Sequence, residues 1–198
     1  HSYIKSFQSY LKIERGLSKN TVANYTFDLE RLSKFMVENE ISISPEKISE
    51  ETIQQFIYSV SKEVNARSQA RIISGLKCFF SYLIFEDYRT DNPMELIEAP
   101  RLGRKLPDTL SIDDIDNLIA AIDLSTPEGE RNRAILETLY GCGLRVSEIT
   151  TLKISDLFFD EGFIKITGKG NKQRFVPIAN STQKCIELYR NSIRNHLD

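Results

Sequence analysis

Histidine and cysteine are scarce in this chain, and neither is arranged to hold a metal. The two histidines, His1 and His196, stand at opposite ends of the 198 residues, and the three cysteines, Cys78, Cys142 and Cys185, form no Cys-x-x-Cys pair. That spacing argues against a structural zinc site. Widely spaced thiols inside apolar stretches point to a reducing compartment, where they serve as small hydrophobes, so the cytoplasm is the expected location. No apolar run approaches the roughly 20 residues of a membrane span, and no signal-peptide pattern is visible. Charge of one sign is not in excess either: 26 Lys and Arg against 28 Asp and Glu give a net charge of −2. This excludes both a disordered acidic tail and a uniformly basic nucleic-acid coat, so any contact with nucleic acid must rest on local positive charge. What the chain does have is a 40% apolar share, enough for the cores of one large domain or two small ones.

The pattern changes partway along. From Ser2 to about Glu86 apolar residues recur at three- and four-residue steps and predict four helices, with Val22, Tyr25, Leu29, Leu32 and Met36, then Ile53, Phe56, Ile57 and Val60, then Ile72, Leu76, Phe79, Phe80 and Leu83 as the clearest runs. Between Arg89 and Leu110 the periodicity fails. Pro93, Pro100 and Pro107 arrive there with Gly103 and the basic Arg101, Arg104 and Lys105, which reads as an extended linker. A second domain is expected from Ser111, where Asp114 completes a capping-box pattern. It continues with a helix from about Glu130 to Tyr140, a Gly-Cys-Gly turn, a short helix from Val146, and two β-runs, Phe163 to Thr167 and Arg174 to Ile178, joined by a glycine-rich hairpin. The domains are thus expected at residues 1–99 and 110–198, with a proline-containing linker over 100–109.

Four features could carry chemistry. Arg67, Arg71, Ser74 and Lys77 share one helix face, opposite Ile72, Leu76, Phe79, Phe80 and Leu83; such a face suits a phosphate backbone or a major groove, or is an ordinary solvated surface. Ser18, Lys19, Asn20 and Thr21 open a helix and could meet an anion at its positive end, although capping alone accounts for Ser18. The glycines of Gly141-Cys142-Gly143 could set Arg145 at the mouth of the next helix, where a guanidinium holds two phosphate oxygens; alternatively Arg145 pairs with Glu148 or Asp156. Thr167-Gly-Lys-Gly-Asn-Lys-Gln-Arg174 carries Lys169, Lys172 and Arg174 on a hairpin whose exposed N–H groups suit a phosphate, and a lysine there could protonate a leaving oxygen. Cations that keep a sheet edge soluble would look the same. The P-loop pattern is absent.

Together these pieces resemble the tyrosine recombinases (phage integrases) of the Xer type. The resemblance spans nearly all of the chain and is carried by Gly16-Leu-Ser-x-Asn-Thr21, Ala70-Arg-x-x-Ser74, Asp91-Asn-Pro93, Leu110-Ser111, Gly143-Leu-Arg-Val-Ser-Glu148 and Gly168-Lys-Gly-Asn-Lys172, the last two being the specific ones. It implies a mainly α protein, with an N-terminal four-helix, SAM-like core-binding domain and the N-terminal part of an α+β catalytic domain bearing a small hairpin or sheet. It implies a reaction without metal or other cofactor: a tyrosine attacks a DNA phosphodiester, leaving a 3′-phosphotyrosyl link and a free 5′-hydroxyl. Arg145 matches the first family arginine and Lys169 the hairpin lysine that protonates the leaving oxygen. Lys172 and Arg174 match backbone contacts, and the first domain matches half of a clamp around double-stranded DNA. Family members act as tetramers, some with a second Xer-type recombinase as partner, in chromosome-dimer resolution or element integration.

The family pattern continues into His-x-x-Arg, a further His or Trp, and a nucleophilic tyrosine. None of these motifs occurs here: His196 is followed only by Leu197 and Asp198, and the last tyrosine, Tyr189, reads as a packing residue. The chain is therefore expected to be C-terminally truncated, to bind DNA and not to cleave it. A non-catalytic decoy, or a regulatory or architectural partner of an intact recombinase, is the alternative, and a helical protein without a nucleic-acid role is the bland one.

Overall fold

The computed structural model describes residues 2–103 and 106–194. It divides into two compact units, His1–Lys105 and Leu106–Asp198.

The first unit is built from α1 (Ser2–Ile13), α2 (Lys19–Glu38), α3 (Glu50–Glu63) and α4 (Ala66–Phe85). Three of these helices start at a side-chain cap, with Ser18 accepting from the Thr21 N–H, Ser49 from that of Thr52, and Asn65 from that of Ser68. Their apolar stripes close on one core, in which Phe7, Leu11, Ile53, Phe56, Ile72, Leu76, Phe80 and Leu83 are essentially inaccessible to solvent. The expected core positions of α2, α3 and α4 all lie in this cluster or packed against it.

The stretch after α4 is not a free linker from Arg89 onward, as its prolines suggested. Pro93, Met94 and Ile97 are buried, the last two as part of the core. The tether is Arg89, whose side chain is only 4% exposed. Its guanidinium donates to the carbonyls of Pro45, Ile48 and Asp91 and to the Asp91 carboxylate, and lies 5.2 Å from the Phe80 ring centre. The Pro45 and Ile48 carbonyls belong to the α2–α3 connection, so Arg89 ties that connection to the stretch after α4 and supplies the donors that carbonyls withdrawn from water need.

The second unit comprises α5 (Ile112–Ala120), α6 (Pro127–Cys142), α7 (Val146–Ile149), a three-stranded antiparallel sheet of β1 (Leu157–Phe158), β2 (Phe163–Thr167) and β3 (Gln173–Pro177), and α8 (Asn180–Leu188). The Ser111–Asp114 capping box is present. Helix α6 runs through the expected Gly-Cys-Gly turn as far as Cys142, and only Gly143 leaves it, at φ 57° in the left-handed region. Gly141 stays helical, and its missing side chain gives room to α8: an added Cβ would lie 3.0 Å from the Thr182 hydroxyl. The two-residue β1 lacks the length for an alternation pattern and was not expected.

Strand register decides what the sheet presents. Ile164 pairs with Val176 and Ile166 with Arg174, so these four share the core face, while Lys165 and Phe175 share the other. The core below is small, with Cys142, Leu144, Ile164, Ile166 and Ile178 buried.

Replacing Arg89 with methionine keeps the apolar stem and removes the donors to the buried Ile48 and half-buried Pro45 carbonyls. A loss of about 2–4 kcal/mol is expected in urea unfolding of the first unit; an unchanged midpoint would show that water meets those carbonyls equally well.

Candidate functional site

Arg145 ends the turn after Gly143 and occupies the N-cap position of α7. An arginine cannot accept a hydrogen bond, so the cap works in reverse: Glu148, three residues on, turns its carboxylate back to the helix start. Its Oε2 accepts from the Arg145 backbone N–H at 2.8 Å and its Oε1 from the Arg145 guanidinium at 3.0 Å. Arg174, brought to the same face by the β2–β3 register, adds a two-pronged contact at 2.6 and 2.9 Å. One carboxylate thus accepts four hydrogen bonds and ties two arginines. The Glu148 side chain is 2% exposed, against 76% for Arg145 and 39% for Arg174.

The glycine that opens the hairpin tip belongs to this cluster. A Cβ on Gly168 would stand 3.3 Å from Glu148 Oε1 and 3.6 Å from an Arg174 terminal nitrogen, so a bare backbone lets the tip sit against the ion pair. The tip is a short 3-10 turn, Lys169–Asn171, in which Gly170 and Asn171 take positive φ, closed by the Gly168 N–H donating to the Lys172 carbonyl. The turn places Lys169 next to the cluster in sequence; its side chain lies outside the described residues. Lys172 is exposed.

Of the two carboxylates open as partners for Arg145, the structure selects Glu148; Asp156 pairs with Lys165 at 3.1 Å. Arg174, expected beside Lys172 as a backbone contact, makes a double hydrogen bond to Glu148. Glu148 itself was missed as a site residue, although its place three residues into a helix that starts at an arginine is a visible signal. The Arg174 hydrogen bonds first, then the Arg145 backbone N–H, pull its carboxyl down to about 2, against the opposing effect of desolvation.

In the first unit the predicted basic face of α4 is present, but its members are unlike. Arg67 and Ser74 are exposed, and Lys77 is half-buried. Arg71 instead forms a double hydrogen bond, at 2.6 and 2.7 Å, with Asp28 of α2, whose side chain is fully buried. Burial pushes the Asp28 carboxyl up and the Arg71 contacts pull against it. At the start of α2, Ser18 is engaged in capping, and its hydroxyl lies 2.9 Å from that of Thr21; Lys19 and Asn20 are exposed. Tyr189 is half-buried and lines an apolar groove with Ala134, Ile135 and Ile149. Among the described residues no group of three or more His, Cys, Asp and Glu side chains could hold a metal ion, and no helix is long and apolar enough to cross a membrane.

Comparison with known proteins places both units. Residues 4–87 match the phage integrase N-terminal SAM-like domain and residues 108–198 the phage integrase family. The chain is 35% identical over 195 residues to the tyrosine recombinase XerD of Staphylococcus haemolyticus, covering 98% of this chain and 66% of that protein. It is 38% identical to the XerD of Oceanobacillus iheyensis, with 98% and 65% covered, and 34% identical to that of Staphylococcus epidermidis, with 100% and 67% covered. The chain belongs to the tyrosine recombinase (phage integrase) family and spans about two thirds of the length of these relatives. The same fold is found in the XerH site-specific recombinase bound to its difH substrate (TM-score 0.70, 21% identity, 98% of this chain and 69% of that one). It also occurs in a lambda integrase tetramer bound to a Holliday junction (TM-score 0.72, 20% identity, 94% and 55% covered).

A carboxyl held at about 2 when folded and near 4.5 when free stabilises the fold above the higher value, and that contribution is lost as pH falls toward the lower. Unfolding of the second unit is therefore expected to be insensitive to Glu148 above about pH 5 and to weaken from about pH 4.5 downward. Glu148→Gln should remove that acid slope, as read by denaturant titrations across pH; an identical slope in the variant would assign it to other carboxyls.

Proposed function

We propose that this chain is the DNA-gripping portion of an Xer-type site-specific recombinase, binding duplex DNA without cleaving it. The carrying observation is the pair of arginines fixed on one buried carboxylate beside the glycine-rich hairpin. Two guanidiniums held by a common anchor form a preorganised receptor for a phosphodiester, and a site that does not reorganise is what stabilises developing charge. On this reading Arg145 touches the scissile phosphate, Lys169 delivers a proton to the departing 5′-oxygen, and Glu148 with Arg174 positions Arg145. Lys172 grips the flanking backbone. In the first unit Ser18, Lys19, Asn20 and Thr21 at the start of α2 and Arg67, Ser74 and Lys77 on α4 meet phosphates, and Arg71 contacts the DNA from the same face of α4. The reaction needs no metal or other cofactor. The partners of the whole protein are double-stranded DNA and further recombinase subunits, as a tetramer with its own kind or with a second Xer-type recombinase. Chromosome-dimer resolution and element integration both use this chemistry.

Two measurements test the proposal. Gel-shift titrations should show duplex binding that weakens by roughly 10³- to 10⁵-fold between about 50 and 200 mM salt, as for a protein touching about six to ten phosphates. Arg67→Gln should weaken binding to all sequences alike and reduce the salt slope by about one. Affinity indifferent to salt would remove the DNA reading altogether. Incubation with a nicked suicide duplex should give no covalent protein–DNA adduct, because the 198 residues contain no His-x-x-Arg followed by a tyrosine; an adduct would show that one of the eight tyrosines present is a nucleophile after all.

A further inference from the structure

Arg71 differs from its neighbours on the α4 face in a way that bears on how DNA sequence is read. Its two terminal nitrogens meet the two oxygens of Asp28 end-on, at 2.6 and 2.7 Å, and the Asp28 side chain is fully buried. The site is built for this contact. Gly75, one turn beyond Arg71, is buried against it, and a Cβ there would stand 2.8 Å from Asp28 Oδ2 and 3.2 Å from the Tyr25 ring. Among the described residues Arg67 and Lys77 have no acidic partner within ion-pair distance, whereas Arg71 does.

Two consequences follow. The Arg71–Asp28 pair carries no net formal charge, and release of condensed counterions from DNA requires net positive charge, so Arg71 adds little to sequence-independent affinity. In exchange its guanidinium plane is fixed. The end-on pair uses two of its five N–H groups and leaves Nε–H and one N–H on each terminal nitrogen, on a side chain 39% exposed. Donors held in one plane on a helix face are suited to a base edge, where position and direction discriminate, while a phosphate accepts from a wide range of directions.

We infer that Asp28 is a positioning residue that turns Arg71 from a counter-charge into a fixed hydrogen-bond donor for a base in the major groove, with the unpaired Arg67 and Lys77 supplying the phosphate contacts. This rests on the reading that the chain binds duplex DNA.

The test uses the full chain and a pool of short random-sequence duplexes, from which the wild type selects a preferred sequence; affinities for that duplex and a scrambled one are then measured across salt, with thermal unfolding alongside. Asp28→Asn frees the charge of Arg71 and no longer fixes its orientation. Preference for the selected duplex is expected to fall by about 10- to 100-fold, while the salt slope steepens by about one. The double variant D28N/R71Q replaces the ion pair by two amides of similar volume, so it tests the same point if the single variant does not fold; it should lose the same preference with a wild-type salt slope. Unchanged preference in both variants, with only unfolding shifted, would reduce Asp28 to a tie between α2 and α4. An equal loss of affinity for both duplexes would make Arg71 a phosphate contact, and selection of no sequence by the wild type would likewise overturn the inference. Failure of the wild type to bind any duplex would instead bring down the DNA reading on which it rests.

Discussion

An anion placed inside a protein must have its lone pairs met by donors, because the hydration it gives up is costly to replace. Glu148 satisfies this requirement with two arginines and a backbone N–H, and the local structure of the second unit is arranged around that solution. Gly143 ends α6 so that Arg145 can open α7, and Gly168 brings the hairpin tip against the carboxylate. The pairing of Ile166 with Arg174 puts the second arginine on the core face. A slip of one residue between β2 and β3 would turn Arg174 to the other face and leave a buried carboxylate half satisfied. The ion pair therefore specifies register as well as accepting hydrogen bonds.

The same device recurs in the first unit, where Asp28 holds Arg71 with help from Gly75. In both places a glycine that looks like a loop or helix-packing residue creates the room in which an acid can reach an arginine. Acid–arginine pairing also bears on the overall charge. A chain of net charge −2 is an unpromising DNA ligand by composition, yet part of its acidic content serves to orient its arginines. What matters for binding is the set of cations left unpaired on the surface, and composition does not count that set.

Helices α2 to α4 of the first unit were legible because 3.6-residue periodicity and side-chain caps agree with one another from Val22 to Leu83. Arg89 was not, since its acceptors are backbone carbonyls more than 40 residues away in sequence, and carbonyls leave no mark on side-chain pattern. Periodicity puts Arg71 on the same face of α4 as Arg67 and Ser74, which are exposed. It could not show that Asp28, within the apolar stripe of α2, would neutralise it, because that contact depends on the crossing of two helices. In the second unit the motif Gly143-Leu-Arg-Val-Ser-Glu148 already contained Arg145 and Glu148 at capping distance. The contact of Arg174 with Glu148 left no mark on the sequence, because it depends on the β2–β3 register that sets Arg174 opposite Ile166 and on the placing of α7 beside that strand.

The charge of the cluster bears on what the chain can do as well as on how it folds. Arg145, Arg174 and Glu148 together carry a formal charge of +1, which balances one phosphodiester in its ground state. Transfer of the phosphoryl group requires more, since negative charge accumulates on the equatorial and leaving oxygens as the transition state forms, and catalysis depends on interactions that strengthen at that point. On the proposed reading Lys169 meets the leaving oxygen, and the equatorial oxygens fall to the second arginine of the family's His-x-x-Arg motif, which these 198 residues do not contain. On that reading Arg145 and its anchored neighbour supply one preorganised part of the transition-state stabilisation, and the donors at the equatorial and leaving oxygens supply the rest.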